Sequence, residues 1–122
     1  MWIYTQEGFI SAVEHFDPKP GAEIVIRARQ RDHLVAMLAY AGLGEDAQSM
    51  VLRTPENDYP YRAFVSRGVL QTILHEASRR LDYPNFKARC VTTLGPAAAF
   101  TLGEVWAETR NLENPKEQGA RN

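Results

Sequence analysis

The sequence predicts an α+β fold, with a mostly antiparallel sheet of about five strands and three or four helices packed on one face. First, short runs of aromatic and β-branched residues, separated by turn residues, recur over the first half of the chain. Second, apolar residues repeat with helical spacing over most of the second half. Third, strands and helices alternate too irregularly for a doubly wound parallel sheet, which favours an antiparallel one.

The length and composition of the chain fit one globular domain. Of its 122 residues, 44% are apolar and 24% are charged, which is ordinary for a folded domain. The formal net charge of −1 argues against a globally basic nucleic-acid binder and against an acidic tail. We therefore predict one domain over residues 1–112 and a polar, disordered tail over residues 113–122.

Cysteine content and hydropathy bear on where the protein works. Cys90 is the only cysteine, so neither an intrachain disulfide nor a cysteine-based zinc site can form. The N-terminus lacks the basic start and apolar run of a signal peptide. No stretch approaches the ~18–20 apolar residues of a membrane helix. We expect a cytoplasmic protein that does not associate with membranes.

The first 29 residues are predicted to be β structure. Residues 2–5 and 9–13 flank a glycine-containing turn at residues 6–8, which is typical of a hairpin. Two prolines and a glycine predict a loop over residues 17–21. Residues 24–29 form the clearest strand, because its apolar residues dominate one face.

The middle of the chain is predicted to add a helix and two strands. Helical spacing of apolar residues predicts a helix over residues 32–43, and Gly42 marks its C-terminal end. Residues 50–54 and 61–65 are predicted strands. The loop between them, residues 55–60, has the length of a wide hairpin connection.

The rest of the chain is predicted to be helical. Ser66 is the predicted N-cap of a helix over residues 67–81, and Pro84 lies in the segment that interrupts it. A short helix should follow as far as residue 94, and a last helix should cover residues 97–112. We expect that last helix to turn three apolar side chains inward: Phe100, Val105 and Trp106.

Several short blocks of residues are spread over most of the chain. They are Met1-Trp2-Ile3-Tyr4-Thr5 with Gly8-Phe9 and Ser11-Ala12-Val13, Arg27-Ala28-Arg29, Asp58-Tyr59-Pro60-Tyr61-Arg62, Leu81-Asp82-Tyr83 with Asn85-Phe86-Lys87, and Val105-Trp106. In these blocks the chain resembles a family of small uncharacterised proteins of actinobacteria and their phages. The resemblance implies no known activity. Its phage connection implies an accessory protein that modulates a host, for example an inhibitor of a host defence system.

The loop at residues 58–62 is the first candidate binding site. It brings Asp58, Tyr59, Tyr61 and Arg62 together within five residues. Aromatic residues and arginine anchor protein interfaces, and the same residue types stack on nucleic-acid bases. The alternative interpretation is a structural loop, in which the tyrosines pack on the core and Asp58 caps the turn.

A basic segment at residues 62–89 is the second candidate. Two acidic residues accompany six basic ones, which are Arg62, Arg67, Arg79, Arg80, Lys87 and Arg89. One interpretation is a contact with phosphate or with an acidic protein. The alternative is a solvated helix face whose charge pairs with the acidic segment at residues 1–23.

The predicted strand at residues 24–29 offers a third candidate. Arg27 and Arg29 share one face of it, and an open face would form a cationic sheet surface. Nucleic-acid-binding sheets also carry stacking aromatic residues, and none is interleaved in this strand. Simple solubility, or pairing with carboxylates of a neighbouring strand, is the alternative interpretation.

Catalytic chemistry has little support in the sequence. His15, His33 and His75 are too far apart to present two metal ligands from one helix. Cys90 lies among apolar helix residues, where a free cysteine behaves as a small hydrophobe. We therefore predict no catalytic residue, no metal site and no cofactor.

These features together predict a non-catalytic module that binds a protein partner. One alternative is a nucleic-acid-binding module that uses an arginine-rich face. A second is a small hydrolase or transferase with a pocket that gathers a histidine, an acid and Cys90. Trp2, on the first predicted strand, is a candidate for packing at the seam of a homodimer.

Overall fold

The computed structural model describes residues 1–113 and confirms the α+β class. In chain order the elements are β1 (Trp2–Thr5), β2 (Gly8–Lys19), β3 (Ala22–Ala28), α1 (Arg31–Tyr40), α2 (Ala47–Met50), β4 (Leu52–Arg53), β5 (Tyr61–Val65), α3 (Arg67–Arg79), α4 (Phe86–Leu94), α5 (Pro96–Glu108) and a 3₁₀ turn (Thr109–Leu112). They form two compact units, residues 1–82 and the chain from Tyr83 onward. The prediction of one domain over residues 1–112 stays a prediction, and the predicted tail over residues 113–122 lies outside the described residues except for Glu113.

The first unit is built on a five-stranded antiparallel sheet. Its strands lie in the order β1-β2-β3-β5-β4, so every neighbouring pair except β3 and β5 is consecutive in the chain. Hairpins make those consecutive pairs, and the segment that contains α1 and α2 leads from β3 to β4. Strands that are consecutive in the chain thus pair antiparallel, as the order of strands and helices in the sequence predicts.

The hairpin of β1 and β2 requires a glycine at position 8, directly after its loop. Thr5 pairs with Gly8, which leaves Gln6 and Glu7 as the two-residue loop. Gly8 has a φ of 136°, and a Cβ there would lie 2.2 Å from Cγ of His33. Glycine therefore both adopts the backbone conformation and lets the first helix approach the hairpin.

The predicted loop over residues 17–21 is wrong at its start, because β2 continues to Lys19. Lys19 pairs with Ala22, and the turn consists of Pro20 and Gly21 alone. Gly21 has a φ of 81°, which fits the second central position of a type II turn, with proline before it. The register shifts between Glu14 and Lys19, and this irregularity accommodates the first proline of the segment.

The core of the first unit lies between one face of the sheet and helices α1 and α3. Ile10, Ile26 and Ala63 supply it from three neighbouring strands, and all three are fully buried. Leu34 of α1 and Ile73 of α3 pack against them and are equally buried. The two-residue alternation of strand β3 puts Ile24, Ile26 and Ala28 on this covered face, as predicted.

Helix α1 ends at Tyr40, three residues before the predicted end. The N–H of Leu43 donates to the carbonyl oxygen of Leu38 at 2.9 Å, and the N–H of Gly42 donates to that of Ala39 at 2.9 Å. These two bonds are the Schellman motif, which needs a residue of positive φ after the cap. Gly42 supplies it with a φ of 77°.

The predicted strand over residues 50–54 is mostly helix and connection. Only Leu52 and Arg53 pair with β5. Ala47 is buried in the core and begins the short helix α2, and the N–H of Val51 closes that turn on the carbonyl oxygen of Ala47 at 2.9 Å. Burial of a small residue in this position favours the helical turn over a longer edge strand.

The second unit begins with two helices joined at Gly95. Asn85 caps α4, because its Oδ1 accepts from the N–H of Ala88 at 2.8 Å. Gly95 has a φ of 93° and separates α4 from α5. The buried residues of these helices are small, namely Cys90 and Ala99.

The prediction that Phe100 and Trp106 turn inward is wrong. Both side chains are exposed, and Val105 is half-buried. Two short helices bury only a narrow stripe of residues, so the large rings remain at its border. The exposed ring of Trp106 lines a cavity near the start of α4.

Candidate binding face

The sheet of the first unit has a second face that none of its own helices covers. The strand register places alternate residues of all five strands on this open face, and they are Trp2, Tyr4, Phe9, Ser11, Val13, Val25, Arg27, Leu52, Arg62 and Phe64. Helices α1 and α3 pack on the opposite, covered face. The open face therefore brings residues of distant segments of the chain side by side.

Aromatic rings form a row across one half of the open face. Phe9 is stacked on Tyr4, with ring centres 4.4 Å apart. Trp2 meets Phe9 edge to face at 6.0 Å, and Tyr59 lies 6.3 Å from Phe9 on the other side. Burial, and secondly the nearby Tyr59, raise the pKa of Tyr4 above its ordinary value. The row is held by contacts among its own rings, and Trp2 at its end is 68% exposed.

Tyr59 connects this row to two arginines. The guanidinium carbons of Arg27 and Arg29 each lie 4.7 Å from the centre of the Tyr59 ring, a cation–π distance. Tyr59 itself is only 6% exposed. It therefore orients the two arginines and makes little contact with solvent.

The loop before β5 fixes Tyr59 through hydrogen bonds at both ends. The N–H of Tyr59 donates to Oδ1 of Asp58 at 3.0 Å. Thr54 Oγ1 donates to the carbonyl oxygen of Tyr59 at 2.9 Å and accepts from Nε of Arg62 at 3.1 Å. The Tyr59–Pro60 peptide bond is trans. The loop thus places Tyr59 and orients Arg62 with one set of bonds.

Three arginines of this surface bond only to neutral groups of the described chain. Nη2 of Arg27 donates to Oγ of Ser11 at 2.9 Å, Arg29 donates to the carbonyl oxygen of Asp58, and Arg62 donates to Thr54. None forms an ion pair with a carboxylate of residues 1–113. Nε of Arg27 is buried without a hydrogen-bond partner within that range. The surface keeps three positive charges that the described fold does not neutralise.

The other half of the open face is apolar. Val13 and Phe64 are partly exposed there, and the ring of His15 lies 4.7 Å from that of Phe64. Phe16 stacks on His15 at 4.9 Å and is almost fully exposed. Exposed apolar side chains adjoining an arginine cluster are the composition of the centre of a protein interface.

The arginines of α3 have a different environment. Arg79 and Arg80 both bond to Glu76, at 2.8 and 3.0 Å, and Arg80 also bonds to Glu7 at 3.2 Å. The two guanidinium groups, that of Arg80 first, hold the pKa of Glu76 below its ordinary value. Arg80 also lies 4.2 Å over the ring of Tyr40. These residues fasten the end of α3 to the first hairpin.

Arg67 also pairs with acidic residues, which belong to the β2–β3 hairpin. Its guanidinium lies 3.8 Å from the carboxylate of Glu14, and its N–H donates to Oε1 of Glu23 at 3.0 Å. That backbone bond is the main cause that lowers the pKa of Glu23. The acidic segment at residues 1–23 therefore supplies ion-pair partners to Arg67 and Arg80. For these two arginines the structure agrees with the alternative interpretation, in which the basic segment pairs with the acidic one.

The residues predicted as sites are thus divided by the structure. Arg27, Arg29 and Arg62 lie together around Tyr59 and Asp58. Tyr61 alternates to the covered face, where it packs partly against the core. Lys87 and Arg89 belong to the second unit, where Arg89 lies 5.1 Å over the ring of Tyr83.

The aromatic row is what the sequence prediction missed. The predicted strand at residues 24–29 has no interleaved aromatic residue, but the neighbouring hairpin supplies Trp2, Tyr4 and Phe9. A signal was present, because a two-residue loop at Gln6 and Glu7 sets Tyr4 opposite Phe9 on one face.

The histidines and the cysteine occupy separate environments. Nδ1 of His33 accepts from the N–H of Phe9 at 3.2 Å, and burial holds the pKa of His33 below its ordinary value. His15 lies among aromatic rings, and His75 lies on α3. Cys90 is buried in α4, and burial raises the pKa of its thiol.

Within residues 1–113, no three His, Cys, Asp or Glu side chains cluster as metal ligands would. No helix in the same range is long and apolar enough to cross a bilayer. Comparisons with protein-family models, with curated proteins and with solved structures found no match.

Proposed function

We propose that this protein is a non-catalytic binding module whose open face holds an acidic, partly apolar segment of a partner protein. The main support for the proposal is a cluster of three arginines, none of which forms an ion pair with a carboxylate of residues 1–113. Arg27 and Arg29 lie over the ring of Tyr59, and Arg62 lies opposite Arg27 on the neighbouring strand. In contrast, Arg67, Arg79 and Arg80 each form an ion pair with a carboxylate of the described chain.

The register of the sheet also places two of these positive charges next to each other. Arg27 and Arg62 are directly opposite each other on β3 and β5. Like charges in this position destabilise a sheet. A carboxylate of a partner placed between them would relieve that repulsion and accept hydrogen bonds from both guanidinium groups.

The rest of the open face supports a protein as the partner. Trp2, Val13 and Phe64 present apolar surface on both sides of the arginines. Tryptophan, tyrosine and arginine are the residue types that contribute most to binding energy in protein interfaces. An acidic segment with apolar side chains on either side of its carboxylates would complement this surface.

Single-stranded nucleic acid is the second candidate, because arginines and aromatic rings adjoin one another on one sheet face. The packing of the rings favours the protein partner. Tyr4 and Phe9 are stacked on each other, and Tyr59 is 6% exposed, so these rings have little free surface on which a base can stack. Trp2 is the most accessible ring of the row.

A non-catalytic role is supported by the separation of the reactive side chains. His33 is engaged with the backbone of Phe9, and Cys90 is buried in the other unit. A cytoplasmic setting, based on the sequence, and an accessory role toward a host protein, based on the resemblance to the actinobacterial and phage family, complete the proposal.

The test compares two arginine variants of equal charge change. Arg62→Ala removes one unneutralised arginine of the open face, and Arg79→Ala removes an arginine paired with Glu76. Tagged proteins are incubated with nuclease-treated actinobacterial lysate, captured proteins are identified by mass spectrometry, and the purified partner is titrated by calorimetry. We expect Arg62→Ala to weaken partner binding about tenfold, since one charged interface contact contributes about 1–2 kcal/mol.

Arg79→Ala should bind within about twofold of wild type. Equal loss in both variants would contradict the proposal. Tight binding of the wild type to an unstructured oligonucleotide, lost in Arg62→Ala, would replace the protein partner with single-stranded nucleic acid.

A further inference from the structure

The second unit contains a cavity of its own, near the start of α4. It has a volume of about 520 Å³ and is lined by residues of the segment before α4, of the first turn of α4 and of the second half of α5. Phe86, Leu102 and Trp106 supply its apolar walls. Pockets for small organic molecules are commonly of this size and of this mainly apolar lining.

One cation lies at this cavity, beside a glycine. Lys87 and Gly103 both line it. A Cβ built on Gly103 would lie 3.2 Å from Nζ of Lys87 and 3.4 Å from its Cε. The missing side chain at position 103 therefore lets the ammonium group of Lys87 lie against α5.

The charges around the cavity favour an anion. No carboxylate of residues 1–113 forms an ion pair with Lys87. The guanidinium of Arg110 lies 4.8 Å from the centre of the Trp106 ring. An ammonium group beside aromatic walls complements a molecule that has one negative end and one flat apolar end.

We propose that this cavity binds a small aromatic carboxylate, with its carboxylate on Nζ of Lys87 and its ring against Phe86, Leu102 and Trp106. A single ammonium matches the single charge of a carboxylate, while the apolar walls exclude water from the ring. This site is independent of the open face, and its test does not involve the protein partner.

The probe is 3-phenylpropanoate, and its uncharged match is 3-phenylpropanamide. The chain contains two tryptophans, Trp2 and Trp106. In the full-length Trp2→Phe background, fluorescence therefore reports on Trp106 alone. We expect a saturable fluorescence change with the carboxylate and up to about fivefold weaker binding of the amide, since an exposed ion pair contributes up to about 1 kcal/mol.

Two substitutions test the contact with Lys87. Lys87→Met keeps the length of the side chain and removes its charge, and it should weaken carboxylate binding about fivefold while it leaves amide binding unchanged. Gly103→Ala should also weaken carboxylate binding, because the added methyl group displaces the ammonium. Lys19→Met is the matched control, since Lys19 is an exposed lysine of the β2–β3 hairpin.

Circular dichroism of each variant verifies that the helices are retained, and amide shifts at Phe86 and Gly103 in NMR spectra locate the bound probe. The proposal is overturned if no saturable change occurs up to the solubility limit of the probe. Equal affinity for carboxylate and amide, or for wild type and Lys87→Met, would overturn it as well.

Discussion

On strand β3, two neighbouring residues show how differently the two faces of the sheet are built. Ile26 faces α1 and α3 and is fully buried among aliphatic side chains. Arg27 faces the other way and lies over Tyr59, opposite Arg62, with no carboxylate to pair with in the described chain. Because strand side chains alternate, the same five strands contribute buried core residues on one face and charged and aromatic residues on the other.

Substitutions one position apart on a strand should therefore act on different properties. Covered-face substitutions should lower the free energy of unfolding. Substitutions of exposed side chains on the open face should leave stability almost unchanged and affect binding.

The first substitution, at Gly8, should cost the most stability, because Gly8 lies where helix α1 approaches the first hairpin. Gly8→Ala forces a non-glycine residue to a φ of 136° and places its Cβ 2.2 Å from the His33 ring. Backbone strain and the clash with α1 should together cost about 3 kcal/mol or more of the free energy of unfolding. Urea denaturation measures the loss.

Gly21→Ala is the matched control for that substitution. Gly21 also has a positive φ, but a Cβ there meets nothing within 4 Å. Only backbone strain remains, so the cost should be about 1 kcal/mol. Equal losses at Gly8 and Gly21 would show that His33 does not hold the hairpin.

The second effect compares the two faces directly. Ile26→Ala leaves a cavity in the core and should destabilise the protein by about 3 kcal/mol. Arg62→Ala removes a like-charge neighbour of Arg27 together with one hydrogen bond to Thr54, so its cost should be within about 0.5 kcal/mol. Thermal unfolding of both variants measures the difference, and a similar loss for the two would remove the distinction between the faces.

The third effect concerns Tyr59, which lies under the arginines of the open face. Tyr59→Ala removes a buried ring and its contacts with Arg27 and Arg29, and should cost about 2 kcal/mol. Tyr59→Phe keeps the ring and should stay within about 0.5 kcal/mol of wild type by urea denaturation. If Tyr59→Phe loses as much as Tyr59→Ala, the ring is not what supports the arginines.

The smallest effect is a pH dependence that arises at His33. Its pKa is lowered in the folded protein, chiefly by burial, and a protonated Nδ1 could not accept the bond from Phe9. The unfolded chain therefore binds more protons, so this contribution to stability is present above the unfolded pKa of about 6.5 and is lost as the pH falls below it.

His33→Asn keeps a side-chain acceptor near Nδ1 and removes the titration. Stability measured by urea denaturation should decrease less between pH 7.5 and pH 5.5 in this variant than in wild type. His75→Asn, on the outer helix α3, is the control and should retain the pH dependence of wild type. An unchanged pH dependence in His33→Asn would contradict this assignment.

Local sequence patterns predicted most helices and strands correctly. The errors lie where contacts between residues distant in the chain determine the local structure. Strand β3 and the Ser66 cap follow from residue alternation and from a side chain that accepts a local hydrogen bond. The end of β2 was missed because the Pro20–Gly21 turn allows Lys19 to pair with Ala22 despite the prolines. Helix α2 depends on burial of Ala47, which no local pattern shows.

The candidate site was predicted only in part, for a similar reason. Asp58, Tyr59 and Arg62 were identified from their spacing, and Arg27 and Arg29 from their shared face. What the sequence did not show is that the sheet brings both sets to one surface. Nor did it show that Glu7, Glu14 and Glu76 pair with the other arginines. Both facts depend on strand order and register, which join residues far apart in the chain.

Photo-crosslinking at one residue on each side of the first unit tests whether the open face binds a protein. Phe64 on the open face and Leu74 on the outer helix α3 are both 37% exposed, so a benzoylphenylalanine at either position has equal access to solvent. In the nuclease-treated lysate used to capture the partner, we predict a discrete adduct with one identified protein from position 64 and none from position 74. Adducts of equal yield from both positions, or an adduct at position 64 that nuclease removes, would contradict the proposal that the open face binds a protein.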